Sequence, residues 1–208
     1  MELKEENFDT NKPEFYLLIT GKAGKNNYGI LVRSASAFDC KEIYILGSNK
    51  NITKKFFGNH GTAKKMKYTY FSTVEELSKH CTQNNIQIYG VNINYKNDSN
   101  LNPVPIENVN FENKKTLFIL GNSMYPIDKE LEKIINKFTY VEQIQKEGTI
   151  FDLNLSIVGS IVMHYYGINN NYKMAGLNDI YNDEKYIVIK KDTKPLDNSE
   201  NNKKIKSE

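Results

Sequence analysis

Cysteine is scarce in this sequence: Cys40 and Cys81 are the only two in 208 residues, and they lie far apart. That separation fits no metal-ligand motif, and a pair so placed reads as partly buried thiols in a reducing compartment. Histidine is as sparse, and His60, His80 and His164 have no carboxylate or cysteine at metal spacing, so no metal site is expected. No apolar run approaches the ~20 residues needed to cross a bilayer. The N-terminal MELKEENFDTNKPEF has neither the apolar core of a signal peptide nor the arginine-rich pattern of a presequence. A cytoplasmic address is the simplest, with a nuclear one left open, and no membrane partner is expected. An excess of one charge is missing too. Lys and Arg number 28 against 25 Asp and Glu, a near balance that permits nucleic-acid binding through a local patch without demanding it.

The rest of the composition, 39% hydrophobic and 25% charged, is that of an ordinary globular chain able to bury one core. Short apolar runs predict strands at 15–20, 42–47, 67–71, 86–94, 115–121 and 138–145. Helical periodicity predicts helices at 27–38, 73–84, 127–136 and 153–167. Their alternation argues for an α/β domain around a largely parallel sheet, and the uninterrupted TLFILG (116–121) suits a strand covered on both faces. The chain divides into a flexible N-terminus at 1–13, a folded domain at 14–169, and a polar, partly disordered C-terminal extension at 170–208. Two long loops, 48–66 and 95–114, need an explanation. The first carries Lys54, Lys55, Phe56, Phe57, Gly58, Asn59, His60, Gly61, Lys64 and Lys65, with Lys67 at its end.

Three segments carry chemistry. The first, Asn27 to Phe38, reads Asn-x-Gly-x-x-x-Arg-x-x-x-x-Phe and opens a helix after a strand. Asn27 is suited to cap that helix, and Gly29 lets another backbone or a ligand approach closely. Arg33 has Gly29, Ser36 and Ala37 as its neighbours on one helix face. A guanidinium beside such small residues has room for a phosphate. The second segment is the strand that ends in Gly121-Asn122, where the carboxyl-end loop of a parallel sheet is a ligand site. The third is GTIFDLNLS (148–156), leading into the apolar helix 157–166.

In this order the segments resemble those of the SpoU (TrmH-like) branch of the SPOUT RNA methyltransferases, across roughly residues 15–166. Asn27 and Arg33 match the family's first motif, Gly121 and Asn122 its second, and Ile144, Leu153 and Asn154 its third. Ser123 stands where the family usually has Glu, and Pro126 near its second Gly. Gln145 replaces a usual Pro, and Asp152 a usual Ser. The loop with Phe57-Gly58-Asn59-His60-Gly61 looks like one found in some eukaryotic members.

The resemblance implies a SPOUT-type trefoil-knotted domain and a homodimer whose partner helps complete each site. It implies S-adenosylmethionine as cofactor, bound around Gly121, Asn122, Ile144 and Leu153, and methyl transfer to a ribose 2′-hydroxyl of tRNA or rRNA. Arg33, Asn27 and Asn154 are then the catalytic candidates. An arginine side chain stays protonated at neutral pH, so Arg33 is expected to grip the adjacent phosphate and stabilise alkoxide charge rather than act as a base. Asn27 and Asn154 would orient it and the substrate, or serve only as helix caps. Asp152 either restores the carboxylate lost at Ser123 or caps the last helix.

That helix has Leu153, Ile157 and Ile161 on one face and Leu155, Val158, Val162 and Tyr165 on another, which suits either a dimer contact or the monomer core. Lys22, Lys25, Lys64 and Lys65 are the candidate RNA contacts, with Phe56, Phe57 and Tyr68 interleaved for stacking. Two rival readings stand. The altered positions Ser123, Gln145 and Asp152 suit a catalytically silent RNA-binding dimer. The run Gly21-Lys22-Ala23-Gly24-Lys25-Asn26 suggests a phosphate-binding loop, but it lacks the earlier glycine and the Ser/Thr that such loops need.

Overall fold

The computed structural model describes residues 12–22, 25–47, 56–143 and 153–173. All but Lys173 belong to one compact unit, Met1–Tyr172. Among the described residues seven strands form a single sheet in the order β3-β2-β1-β6-β4-β7-β5, and every pairing between them is parallel. The strands are β1 (Phe15–Ile19), β2 (Glu42–Leu46), β3 (Tyr68–Phe71), β4 (Gln87–Val91), β5 (Val104–Pro105), β6 (Thr116–Leu120) and β7 (Lys137–Tyr140). Beside them run α1 (Lys25–Ala37), α2 (Val74–Gln83), α3 (Lys129–Glu132) and α4 (Leu155–Asn169).

Every residue of β1 is buried, because the sheet is covered on both faces. Phe15, Leu17 and Ile19 point to the side packed by Leu31, Val32 and Ala35 of α1 and Val158 and Val162 of α4. Tyr16 and Leu18 point to the side packed by Leu77 and Cys81 of α2 and Leu131 of α3. The period of two along a strand thus builds two cores from one segment. The edge strand β5 holds only two residues and includes Pro105, a residue that sheets tolerate at edges.

Several boundaries differ from the sequence expectation. The first helix begins at Lys25, so Asn27 lies inside its first turn and is not its cap. The strand expected over 86–94 ends at Val91, where Asn92 accepts from the Asn94 N–H at 3.0 Å and opens a 3₁₀ turn over Ile93–Asn97. The helix expected over 127–136 is only Lys129–Glu132. Asn136 ends it early, because its backbone N–H donates to Ile88 O (2.9 Å) and its side chain accepts from Ile88 N–H (2.8 Å). The long loop 95–114 contains a second 3₁₀ turn, Ile106–Asn108, besides β5. Among the described residues no helix is long and apolar enough to cross a membrane.

Candidate functional site

Because all the strands run the same way, the segments after β1, β4, β6 and β7 gather at one edge of the sheet. β6 enters between β1 and β4, so the chain reverses its direction of travel through the sheet there. Such a reversal opens a crevice at the carboxyl ends of the strands. Gly121 and Asn122 leave β6 at that edge, and both are buried. A Cβ on Gly121 would lie 2.8 Å from Ile127 Cγ1 and 3.0 Å from Asn92 Nδ2, so the two loops close tightly over this glycine.

Asn122 is only 6% exposed and organises the loop after β6. Its Oδ1 accepts from the Tyr125 N–H at 2.8 Å, and its Nδ2 donates to Leu153 O at 3.4 Å. The second contact joins the β6 loop to the segment that enters α4. One residue on, Asn154 caps α4, accepting from Ser156 N–H at 2.9 Å. Its Nδ2 donates to Asn27 Oδ1 at 2.9 Å. The three motif segments therefore meet through Asn122, Leu153, Asn154 and Asn27. Asn154 holds the capping position considered for Asp152. Gly121 and Leu153 lie beside Asn122, whereas Ile144, Gln145 and Asp152 lie outside the described residues.

The helices bearing these residues pack closely. Ser34 donates to Ser160 Oγ (2.8 Å), whose own proton goes to Ser156 O at 2.8 Å. Further along, the rings of Phe38 and His164 are 5.8 Å apart. A Cβ on Gly159 would come within 2.3 Å of Leu31 Cδ2, so small residues set this close spacing.

Arg33 is not part of the asparagine link. Six residues beyond Asn27 on α1, it is displaced by about 9 Å along the axis and about 120° around it. It is exposed, and its guanidinium makes no ion pair or hydrogen bond among the described residues. Beside it Gly29 acts as the sequence suggested. An ideal Cβ there would fall 1.5 Å from Phe57 O, so the loop backbone lies directly on the helix.

Of the candidate RNA contacts, Lys64 and Lys65 are exposed. Lys22 is ion-paired with Asp128, ahead of α3, and that pair borders a cleft lined by Thr20, Tyr28, Tyr125 and Leu155. The Lys25 side chain lies outside the described residues, as do Lys54 and Lys55.

Sequence reasoning missed three residues at this edge. Asn92 is 3% exposed, and its N–H donates to Thr139 O at 3.0 Å. Asn94 accepts from Ser123 Oγ at 3.4 Å. Lys96, ion-paired with Glu142, holds that carboxyl below its ordinary value. An Asn directly after a buried apolar strand was the available signal, since Asn92 follows β4 much as Asn122 follows β6.

A model of the SpoU rRNA methylase family matches residues 14–164. No curated protein sequence matches the chain. Among solved structures it is similar to the AdoMet-bound rRNA methyltransferase from Sinorhizobium meliloti, with a TM-score of 0.61 and 15% identity, covering 76% of this chain and 57% of that one. It is also similar to an RNA 2′-O ribose methyltransferase, with TM-score 0.59, 13% identity and coverage of 80% and 60%. A TrmH/SpoU tRNA modifying enzyme from A. aeolicus gives TM-score 0.60, 15% identity and coverage of 77% and 76%. The chain thus spans less than two thirds of the first two.

Proposed function

The chain belongs to the SpoU rRNA methylase family, and from that premise we propose that it is an S-adenosylmethionine-dependent RNA ribose 2′-O-methyltransferase acting as a homodimer on tRNA or rRNA. The observation that carries this reading is the joining of all three motif segments at one edge of the sheet, through the 3.4 Å Asn122–Leu153 and 2.9 Å Asn154–Asn27 hydrogen bonds. The trefoil threading belongs to the same reading.

The residues at that edge fit the cofactor. The exposed Asn94 and Ser123 offer uncharged donors and acceptors, as an adenosine requires, while the buried amides of Asn92 and Asn122 brace the loops around them. Among the described residues, Lys22 and Lys96 at this edge are each paired with a carboxylate, so a sulfonium meets no unpaired positive charge from them. Gly121, Asn122, Ile144 and Leu153 would hold it. When bound, it supplies an electrophilic methyl group.

The chain's own residues do the rest. Arg33 grips the phosphate beside the target ribose with its planar fork of donors and stabilises charge on the 2′-oxygen as that oxygen's proton leaves to solvent. Asn154, anchored by its cap and by Asn27, fixes the entrance to α4 against which the ribose is held. Lys64 and Lys65 add phosphate contacts, as does Lys22 once RNA displaces Asp128.

Two features favour the homodimer. Arg33 lies away from the asparagine link of its own chain. The outer side of α4 exposes Ile157 (47%) and Ile168 (46%), with Ile161 partly buried between them, an apolar stripe suited to a second copy.

The test is calorimetric titration with S-adenosylmethionine, S-adenosylhomocysteine and ATP. Micromolar-range binding of the first two and none of ATP is expected, followed by label transfer from methyl-tritiated cofactor to RNA. A folded dimer that binds RNA but neither cofactor form would instead be the silent relative.

A further inference from the structure

Of the three aromatic side chains interleaved with the lysines of the 56–68 loop, two are turned inward. Phe56 is 4% exposed, with its ring 6.0 Å from Tyr28 and 6.5 Å from Tyr68. Tyr68 is half-buried, and its hydroxyl donates to Ala63 O at 2.8 Å. Phe57 alone faces outward, 59% exposed.

An exposed phenylalanine is ordinary on a mobile loop, but this backbone is fixed. Asn59 donates to Phe56 O and accepts from the N–H groups of Gly61 (2.8 Å) and Ala63 (3.3 Å). Gly58, His60 and Gly61 take left-handed conformations, with φ of 82°, 49° and 86°. The Phe57 carbonyl is seated in the notch that Gly29 leaves on α1, and Gly58 packs beside the Ile30 side chain. The backbone that bears the ring is thus anchored on the outside of the helix that carries Arg33. From Gly29 to Arg33 is one helical turn, about 6 Å. Lys64 and Lys65, both exposed, close the same loop.

We infer that Phe57 is a stacking platform for an unpaired base of the RNA, next to the nucleotide whose phosphate Arg33 grips. This rests on the RNA-methyltransferase reading only for the identity of Arg33's ligand. An aromatic side chain on an anchored backbone stacks a base without the entropic cost of ordering a loop. The cations of α1 and of the loop attract the flanking phosphates. Duplex RNA hides its base faces, so such a platform selects loops, bulges or ends. Phe57 is in this account a specificity residue and takes no part in the transfer chemistry.

Two fluorescein-labelled RNA probes of equal length test this. One is a hairpin with a seven-nucleotide unpaired loop containing 2-aminopurine, and the other is a blunt duplex. Their binding to the full-length wild type, Phe57→Ala and Phe57→Tyr is followed by anisotropy. The expected result is hairpin affinity about tenfold weaker for Phe57→Ala, near wild type for Phe57→Tyr, and unchanged duplex affinity for both. Quenching of 2-aminopurine should be lost only in Phe57→Ala. Equal hairpin affinity for all three proteins overturns the inference. A Phe57→Ala protein that sediments as a monomer where the wild type is a dimer also overturns it, because the ring would then be covered by a second copy. Cofactor titration of the same proteins separates this outcome from failure of the methyltransferase reading, since Phe57→Ala should bind S-adenosylmethionine as the wild type does.

Discussion

Asn154 donates from Nδ2 to Asn27 Oδ1 at 2.9 Å, joining residues 127 positions apart. The direction of this bond is set by the rest of the Asn154 side chain. Its Oδ1 already accepts from Ser156 N–H (2.9 Å) and Ser156 Oγ (2.6 Å), which leaves only the amide nitrogen for Asn27. One side chain therefore caps α4 and pins the start of that helix to the start of α1.

The two jobs separate by mutation. Serine caps helices well but is too short to reach Asn27, so Asn154→Ser keeps the cap and loses the link, while Asn154→Ala loses both. Urea unfolding should find Asn154→Ala about 1 kcal/mol less stable than Asn154→Ser, within the range for lost caps. Asn27→Ala should cost about 0.5–1.5 kcal/mol in the wild type and close to nothing in the Asn154→Ser background. Additive losses would mean that the hydrogen bond has no energetic weight.

Gly29→Ala should destabilise despite alanine's better helix propensity. That gain is about 1 kcal/mol, but the new methyl meets Phe57 O at 1.5 Å, which no rotamer change can relieve. The loop must move, at a net cost of about 1–3 kcal/mol by the scale of overpacked sites. Denaturant melting gives the stability, and limited proteolysis across 56–65 reports the displaced loop. A variant as stable and as resistant as wild type would contradict the contact.

The sheet was legible because its strands are short, apolar and separated by helical segments, and covering both faces of β1 and β6 leaves no polar interruption to confuse the pattern. The limits of β4 and α3 were not legible, since Asn92 turns back on the Asn94 N–H within an apolar run and Asn136 is held by Ile88, far away in sequence. The same holds for the site. Asn27, Asn122, Leu153 and Asn154 could be selected by motif, but that Asn27 answers Asn154 instead of capping its own helix is a tertiary fact. Nor does spacing alone reveal that Lys22 is neutralised by Asp128, or that Phe56 turns inward while Phe57 turns out.

The cysteines offer a pH-dependent check. Burial pushes the Cys81 thiol up to about 12 and raises Cys40 as well. A raised thiol pKa leaves the reactive thiolate scarce at neutral and mildly alkaline pH. At pH 8 a disulfide reagent such as Ellman's should therefore label neither cysteine quickly in the folded protein and both after denaturation. Prompt native labelling of either would show that its packing opens.

The outer stripe of α4 predicts the assembly. Ile157 and Ile168 are nearly half exposed (47% and 46%), so Ile157→Asp and Ile168→Asp should leave the thermal midpoint of an isolated chain close to wild type. If this stripe meets a second copy, each buried charge instead dissociates the dimer. Sedimentation velocity should show a monomer for the variants at concentrations where wild type is dimeric. Unaltered dimers would place the interface elsewhere.

A composite site makes a sharper prediction, because it can be read from two inactive proteins. Arg33 is exposed and unpaired among the described residues, so Arg33→Ala should fold normally. It should lose methyl transfer by about 10²–10³-fold, the scale for removing one donor from a charged transition state. Asn154→Ala damages the other half of the site. If Arg33 serves the crevice of its own chain, mixing the variants yields no intact site, and activity stays low. If it serves the partner's crevice, a mixed dimer pairs the intact Arg33 of one chain with the intact Asn154 of the other. Random exchange makes about half the dimers mixed, each with one working site of two, so about a quarter of wild-type activity should return. That recovery should vanish with Ile157→Asp in both variants, since the monomers would then have no partner to complete them.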